Sequence, residues 1–391
     1  MFWRLTVLNP FPDEHLGEIW HAVRQFCQQE LTPYLKTIPP HEYPRELLRL
    51  MGEAGYTGAA IPEAYGGSGQ TLTEFLPIIE AIAAVDGSAA LSLSAHHSLA
   101  ASHILRAGTE EQKRRWLPEL TSGERIGAWC FTDPRGGSNA FEVMGTTLRT
   151  GTYGRRILNG EKSFVTNGGI ADLYVVTAKV ESPEGQAPRF ATCIVEKSAN
   201  GIRTAPSGEK MGMRGCSTTS VFFDDVEVAP ETVLDPTAGG GTKYVIREVL
   251  FRGRIGIAAL ALGLARDSLE RALRYAKERQ VKGGALSEQQ MTQNKIAEMY
   301  AGWLAAWQTV FYAASLADEG KPFAKEACAA KLLATETALT ICDEALQIFG
   351  GYGYMTDYKV EKNYRDARLL TIGEGTSEVL KLTIAREILG R

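Results

Sequence analysis

The hydrophobic spacing changes twice along the chain, and this limits its architecture more than any single motif does. Up to about residue 126 apolar residues recur at helical intervals, in segments near 13–30, 44–54, 72–86, 88–106 and 109–120. The last opens with a capping box, Thr109 to Gln112. IPEAYGGSG (61–69) reads as a turn that separates the first pair of helices from the rest. From about 127 the period becomes two. In DLYVVTAKV, Tyr174, Val176, Ala178 and Val180 alternate with the other face, and RFATCIVEK (189–197) and TTSVFFDDVEVAP (218–230) are similarly β-branched and aromatic. LNGEK and SPEG mark turns between such strands. Beyond the Gly-rich linker DPTAGGGTK (235–243) the helical period returns, roughly over 243–280, 288–318, 323–349 and 376–390. The expected fold is therefore α+β, in three parts. An N-terminal helical domain (1–126) is followed by a central antiparallel β domain (127–234) and a C-terminal four-helix bundle (235–391). IGIAALALGLA, apolar on nearly every side, predicts a helix buried all round, in part by another subunit.

At 391 residues there is chain for two or three packed units. A net charge of −4, with Lys and Arg scattered, argues against nucleic acid as a partner. No apolar run reaches the ~18 residues of a membrane span, and the N-terminus lacks a full signal-peptide pattern. The sequence reads as that of a cytoplasmic protein with no membrane partner. Cys27, Cys130, Cys193, Cys216, Cys328 and Cys342 lie far apart with no Cys-x-x-Cys, so neither a metal site nor a disulfide framework is expected. All six histidines (His15, His21, His41, His96, His97 and His103) fall in the first 103 residues. A site built from the C-terminal half must therefore use a carboxylate as its base, unless the N-terminal unit folds over it. The His96–His97 pair has no ligand spacing and reads as structural or surface. There is no G-x-G-x-x-G after a strand and no Walker lysine.

The densest chemistry lies in residues 347–378, QIFGGYGYMTDYKVEKNYRDARLLTIGEGTSE. A glycine pair (Gly350, Gly351) is followed by a charged run (Arg365, Asp366, Arg368). A carboxylate between two glycines (Gly373, Glu374, Gly375) then leads into a final helix that Thr376 or Ser377 can cap. Flanking glycines give Glu374 the backbone freedom to be aimed into a cavity. An ordinary tight turn with a solvated Glu fits the same residues. Three other stretches stand out. Trp129-Cys130-Phe131-Thr132-Asp133-Pro134-Arg135-Gly136-Gly137-Ser138-Asn139 is a strand running into a Pro/Gly loop rich in backbone N–H groups and hydroxyls. In Phe164-Val165-Thr166 an aromatic two residues before a Thr shares one face of a strand with it, so a ring could lie on Phe164; a plain hairpin strand fits equally. The third is Arg279-Gln280-Val281-Lys282-Gly283, with Gln290 eleven residues beyond Arg279.

Together these stretches resemble the acyl-CoA dehydrogenase family over essentially the whole chain. The resemblance implies FAD as cofactor, with Glu374 as the catalytic base and Gly375 beside it at the substrate. Thr132 and Thr166 would meet the flavin, with Trp129, Phe131 and Phe164 around it, and Thr376 and Glu378 at its far side. Arg279, Gln290, Gln347, Gly350 and Gly351 would hold the diphosphate and adenosine across a dimer interface. Ser138 would touch the acyl-carrier arm, and Arg254 would meet the CoA nucleotide. The chain departs from the family pattern at Arg135, Asn139, Phe164 (usually Trp) and Lys282 (usually Phe). Gly253 stands where some relatives place their base instead, and Gly373 where the family often has Tyr, which predicts a wide pocket. The implied activity is α,β-dehydrogenation of an acyl-CoA to a trans-2-enoyl thioester by a homotetramer, a dimer of dimers, with an electron-transfer flavoprotein as electron acceptor. The alternatives are dehydrogenation of an acyl-carrier-protein thioester, a flavin oxidase or monooxygenase, and an inactive scaffold of the same fold.

Overall fold

The computed structural model describes residues 8–390 apart from 10, 12, 40, 41, 43, 44, 151–154, 182–186 and 235–240. The first part of the Gly-rich linker, the SPEG turn and His41 thus lie outside the described residues.

The N-terminal block is helical: α1 (Glu14–Phe26), α2 (Thr32–Leu35), α3 (Glu46–Glu53), α4 (Leu72–Val85), α5 (Gly87–Ser94), α6 (Ser102–Ala107) and α7 (Glu110–Thr121). Local chemistry starts these helices. Asp13 and Asp86 accept the Leu16 and Ala89 N–H groups, and Thr71/Glu74 and Thr109/Gln112 form full capping boxes. The stretch expected as one helix over 88–106 is continuous but widens into π-helical turns over Ala95–Ala101, all of whose residues are buried.

The central sheet holds β1 (Gly127–Cys130), β2 (Thr147–Thr150), β3 (Arg156–Thr166), β4 (Leu173–Val180), β5 (Arg189–Glu196), β6 (Ile202–Pro206), β7 (Thr218–Val228) and β8 (Val233–Leu234), with a short α8 (Ala140–Val143). Its order is β6-β7-β3-β2-β4-β5-β8, antiparallel except that β1 and β2 both run parallel to β4. These two pair with its opposite ends, Leu173–Val176 and Lys179–Val180. The chain between them, residues 131–146, must therefore leave the sheet. That excursion is the Pro/Gly loop singled out in the sequence.

The C-terminal block opens with the 37-residue α9 (Thr242–Glu278). After the small hairpin β9 (Gln280–Val281) and β10 (Gly284–Ala285) come α10 (Gln290–Asp318), α11 (Ala324–Phe349), α12 (Val360–Leu370) and α13 (Ser377–Leu389). The residues of α9 from Gly253 to Leu269 are all buried, against α4, α5, α10, α11 and α12 of the same chain. The prediction of a helix buried all round holds, and much of its covering comes from its own chain. At Gly263 the backbone of α4 comes so close that a Cβ would sit 2.3 Å from the Glu80 carbonyl oxygen.

The charged run in RDAR is a helix, α12, which the spacing did not reveal. Arg368 stays exposed, but its neighbours Arg365 and Asp366 are turned to the protein. Asp366 accepts from the Met213 N–H and from Lys362, and Arg365 donates to the Met211 carbonyl. The helix is thereby docked on the loop before β7.

The helical blocks are locked together by buried ion pairs. Glu80 on α4 (0% exposed) accepts from Arg266 on α9 (3%) and from Trp20 Nε1 on α1 at 2.7 Å. Asp267 accepts from Arg271 and Asn363 and lies 3.0 Å from Lys359, which in turn donates to the Ala84 carbonyl. Removing one partner leaves a buried charge alone, so Glu80→Ala is expected to cost about 3–5 kcal/mol. The cost should read as a lower urea midpoint, and adding Arg266→Met should recover part of it.

Candidate active site

Glu374 sits in the turn between α12 and α13, with Thr376 as the cap: its Oγ1 accepts the Val379 N–H at 3.3 Å. The sequence placed the backbone freedom in the glycines, yet Glu374 itself is left-handed, with φ 53°, beside Gly375 at φ 100°. A non-glycine residue held there is strained by about 1–3 kcal/mol, so its surroundings must hold it. Two cations do so. Arg254 on α9 donates from Nε to the Glu374 carbonyl at 3.2 Å, and Lys331 on α11 donates to the Gly375 carbonyl at 2.8 Å. The carboxylate lies against α9, where a Cβ added at Gly253 would be 2.6 Å from Glu374 Oε2. The residue borders the cavity, but Oε2 itself is enclosed and meets no hydrogen-bond donor. Burial pushes its pKa up to about 7, with Lys331 and Arg254 pulling the other way.

Across a cavity of about 1310 Å³ stands the edge of the sheet. Trp129 and Phe131 stack at 4.7 Å, and the Thr132 and Ser138 side chains line the space below them. The loop is pinned from beneath by a pair that the sequence reading missed. Lys162, fully buried in β3, bonds Asp133, which also accepts the Thr146 N–H at 2.8 Å, while Ser163 N–H donates to the Thr132 carbonyl at 2.7 Å. Phe164 and Thr166 both line the cavity, but not through a regular pleat. A bulge falls between Lys162 and Val165, and Phe164, at φ 54°, projects its ring with 70% of the residue exposed. The N-terminal block closes the third side through Leu91, Ala95 and Leu99, opposite Ile257 of α9.

That block does fold over the site, yet its histidines do not join it. His96 bonds the Leu120 carbonyl and accepts the Gly127 N–H, His97 accepts the Ala60 N–H, and His103 bonds the Leu99 carbonyl. Burial pushes them down to about 4, 3 and 4, so they are neutral structural groups.

Trp129, Phe131, Thr132, Ser138, Phe164, Thr166, Arg254, Glu374, Gly375 and Thr376 therefore share one cavity. Arg254 lines the cavity but is 6% exposed, and it bonds the loop that carries Glu374 besides Cys328 Sγ at 3.1 Å. Glu378 is on the exposed side of the first turn of α13, outside the cavity lining. Arg279, Gln290, Gln347, Gly350 and Gly351 are also outside it and exposed. The Arg279 guanidinium stacks on Tyr352, which joins the 279 and 350–354 segments in one patch. Lys331 and the floor at Gly253 escaped the sequence reading. The available signal was a lone Lys in the small-residue run ACAAKLLA of an amphipathic helix.

Models of the acyl-CoA dehydrogenase N-terminal, middle and C-terminal domains match residues 13–124, 128–226 and 239–389. The chain belongs to the acyl-CoA dehydrogenase family. It is 38% identical over 369 residues to an acyl-CoA dehydrogenase of Bacillus subtilis, covering 94% of this chain and 96% of the relative. The butyryl-CoA dehydrogenase of Megasphaera elsdenii superposes with a TM-score of 0.91 at 34% identity, over 98% of this chain and all of that one. An acyl-CoA dehydrogenase from Bacillus anthracis, solved as a complex with FAD, superposes at 0.90 with 31% identity, over 98% of this chain and 68% of that one. The family fold, the flavoprotein class and FAD as cofactor follow.

The cavity fits that cofactor. Its volume exceeds the roughly 300–1,000 Å³ of a single-ligand pocket, leaving room for a flavin and an acyl chain together. Phe164 offers a flat face into it, and among the described residues no group meets the hydroxyls of Thr132, Ser138 or Thr166. Gly253→Ala, whose Cβ would crowd both Glu374 and Leu99, is expected to lower turnover per bound flavin at least about tenfold while flavin content stays constant.

Proposed function

We propose that the protein dehydrogenates an acyl-CoA at Cα and Cβ, with Glu374 taking the Cα proton. The observation that carries this is the half-buried Glu374 carboxylate, whose Oε2 meets no donor and whose pKa burial raises to about 7, at the border of a cavity large enough for two ligands. A thioester Cα–H is far too weakly acidic for an ordinary carboxylate. Each unit by which burial raises Glu374 toward working pH closes about 1.4 kcal/mol of that gap. The rest must come from stabilising the enolate oxygen. Among the described residues nothing accepts the Glu374 backbone N–H, which leaves it available as a donor to that oxygen. Bound FAD supplies the acceptor for the hydride that leaves Cβ. Leu91, Ala95, Leu99 and Ile257 exclude water around the acyl chain and keep the base dry.

Phe164, Thr132 and Thr166 would hold the flavin ring. The exposed patch with Arg279, Gln290, Gln347, Gly350 and Gly351 would serve the cofactor of a second copy, which supports a homodimer at least, and a dimer of dimers as the full assembly. The acceptor of the electrons is read as an electron-transfer flavoprotein. Support comes from a 36% identical caffeyl-CoA reductase–Etf complex subunit of Acetobacterium woodii, and from a superposing chain in a structure of the Acidaminococcus fermentans electron transferring flavoprotein. A Cβ at Gly373 would meet only Leu369, at 3.7 Å or more, so there is space beside the reacting carbons. That favours branched or ring-bearing acyl groups, in line with a 37% identical 3-(aryl)acrylate reductase of Clostridium sporogenes.

Anaerobic titration with straight, branched and aryl-bearing acyl thioesters, as CoA and carrier-protein forms, should bleach the flavin band, most strongly with bulky CoA substrates. Glu374→Gln should stay yellow and unbleached; turnover by this variant would remove Glu374 as the base. Because the active form is the carboxylate and its pKa is raised, kcat/KM should rise with pH through about 7 and be lost below it. An acid limb near 4.5 would contradict the enclosed site.

A further inference from the structure

Two cations lie behind the Glu374 turn, and neither is used in the chemistry described above. Lys331 is fully buried in the N-terminal third of α11, and Arg254 is 6% exposed on α9. Among the described residues neither is within salt-bridge distance of a carboxylate. Their hydrogen bonds go instead to two consecutive carbonyls, Glu374 and Gly375, and to Cys328 Sγ. A buried ammonium normally needs a carboxylate as partner, because an unpaired charge in a dry interior is costly.

We propose that Lys331 and Arg254 are positioning residues that hold the strained Glu374–Gly375 turn by its carbonyls and supply the positive field that keeps the Glu374 carboxyl able to ionise inside its closed pocket. This rests on the reading of Glu374 as the base. The geometry supports it in two ways. Holding the two carbonyls fixes the peptide planes on either side of Gly375, so the left-handed Glu374 is kept where Oε2 rests on Gly253. An ionised Glu374 is also the carboxylate that acts most strongly on Lys331, which among the described residues no carboxylate contacts. The groups facing the cluster are Arg254 on α9, Lys331, Cys328 and Glu336 on α11, and Ser377 and Glu387 on α13, whereas the α5–α6 side contributes the apolar Leu99. Glu336 is engaged by the Ser377 hydroxyl. Glu374, whose Oε2 meets no donor, is thus the carboxylate left to answer the two buried cations. Burial pushes Lys331 down to about 8, with Glu374 the first group opposing that shift, so the lysine is still mostly charged where the base must work.

The test compares the pH dependence of anaerobic flavin reduction by substrate in wild type, Lys331→Met and Lys331→Arg, each normalised to bound flavin. Lys331→Met should move the acid limb upward by about one unit, so that the rate falls about fivefold at pH 7 and largely recovers by pH 8.5. Lys331→Arg should bring the limb back toward that of wild type. Should Lys331→Met not accumulate with flavin bound, Lys331→Gln, which keeps a donor to the Gly375 carbonyl but no charge, carries the same expectation. A uniform loss of rate at every pH, or a limb that stays in place, would overturn the field role. Glu374→Gln, run alongside, separates the two ideas. If it is inactive while the Lys331 limb is unmoved, the base stands and this inference falls; if it is active, both fall.

Discussion

The enclosure of α9 is the constraint on which the rest depends. Its central stretch, Gly253–Leu269, is buried throughout, and α4, α5, α10, α11 and α12 supply much of that cover. The few polar groups of this stretch cannot then reach water, so each needs a partner on a neighbouring segment. Arg266 finds Glu80, Asp267 finds Lys359 and Asn363, and Arg254 finds the Glu374 carbonyl. Because these bonds tolerate little displacement, they set the rotation and height of α9 against its neighbours. The glycines do the same by contact, Gly263 against the α4 backbone and Gly253 against the Glu374 carboxylate.

The active site is one outcome of that arrangement. Glu374 is carried on a short turn with its backbone in a strained conformation, and the strain is held by groups on two helices, α9 and α11, that are themselves fixed by packing. The opposite wall uses the same device in β structure. A bulge in β3 turns Phe164 out into the cavity, and the buried Asp133–Lys162 pair anchors the loop that carries Thr132. Each wall is thus a locally unfavourable conformation supported from behind by buried charge.

The helical and strand periods, the capping boxes and the importance of Glu374 were legible because each depends on residues a few positions apart. The Thr109–Gln112 box and the Thr376 cap need only the local chain. Where the reading was incomplete, the reason was the same each time. α12 was hidden because Arg365 and Asp366 look like solvent-facing charges until the Met211–Met213 backbone is brought against them. Phe164 and Thr166 were expected to share a face through simple alternation, and they do reach the same cavity, although a bulge between Lys162 and Val165 breaks that alternation.

The sequence by itself determined the order of helical and β blocks and the resemblance to the family, and through it the carboxylate read as the base, since propensity, periodicity and short motifs are carried within a few residues. Only the tertiary structure decided what surrounds that base: that Gly253 is its floor, that Arg254 serves its loop, and that Lys331 lies beneath it. Arg266 meets Glu80 across 186 positions and Lys331 meets Gly375 across 44. Pairings at such separations are set by the path of the folded chain, and so are burial and the pKa that burial shifts.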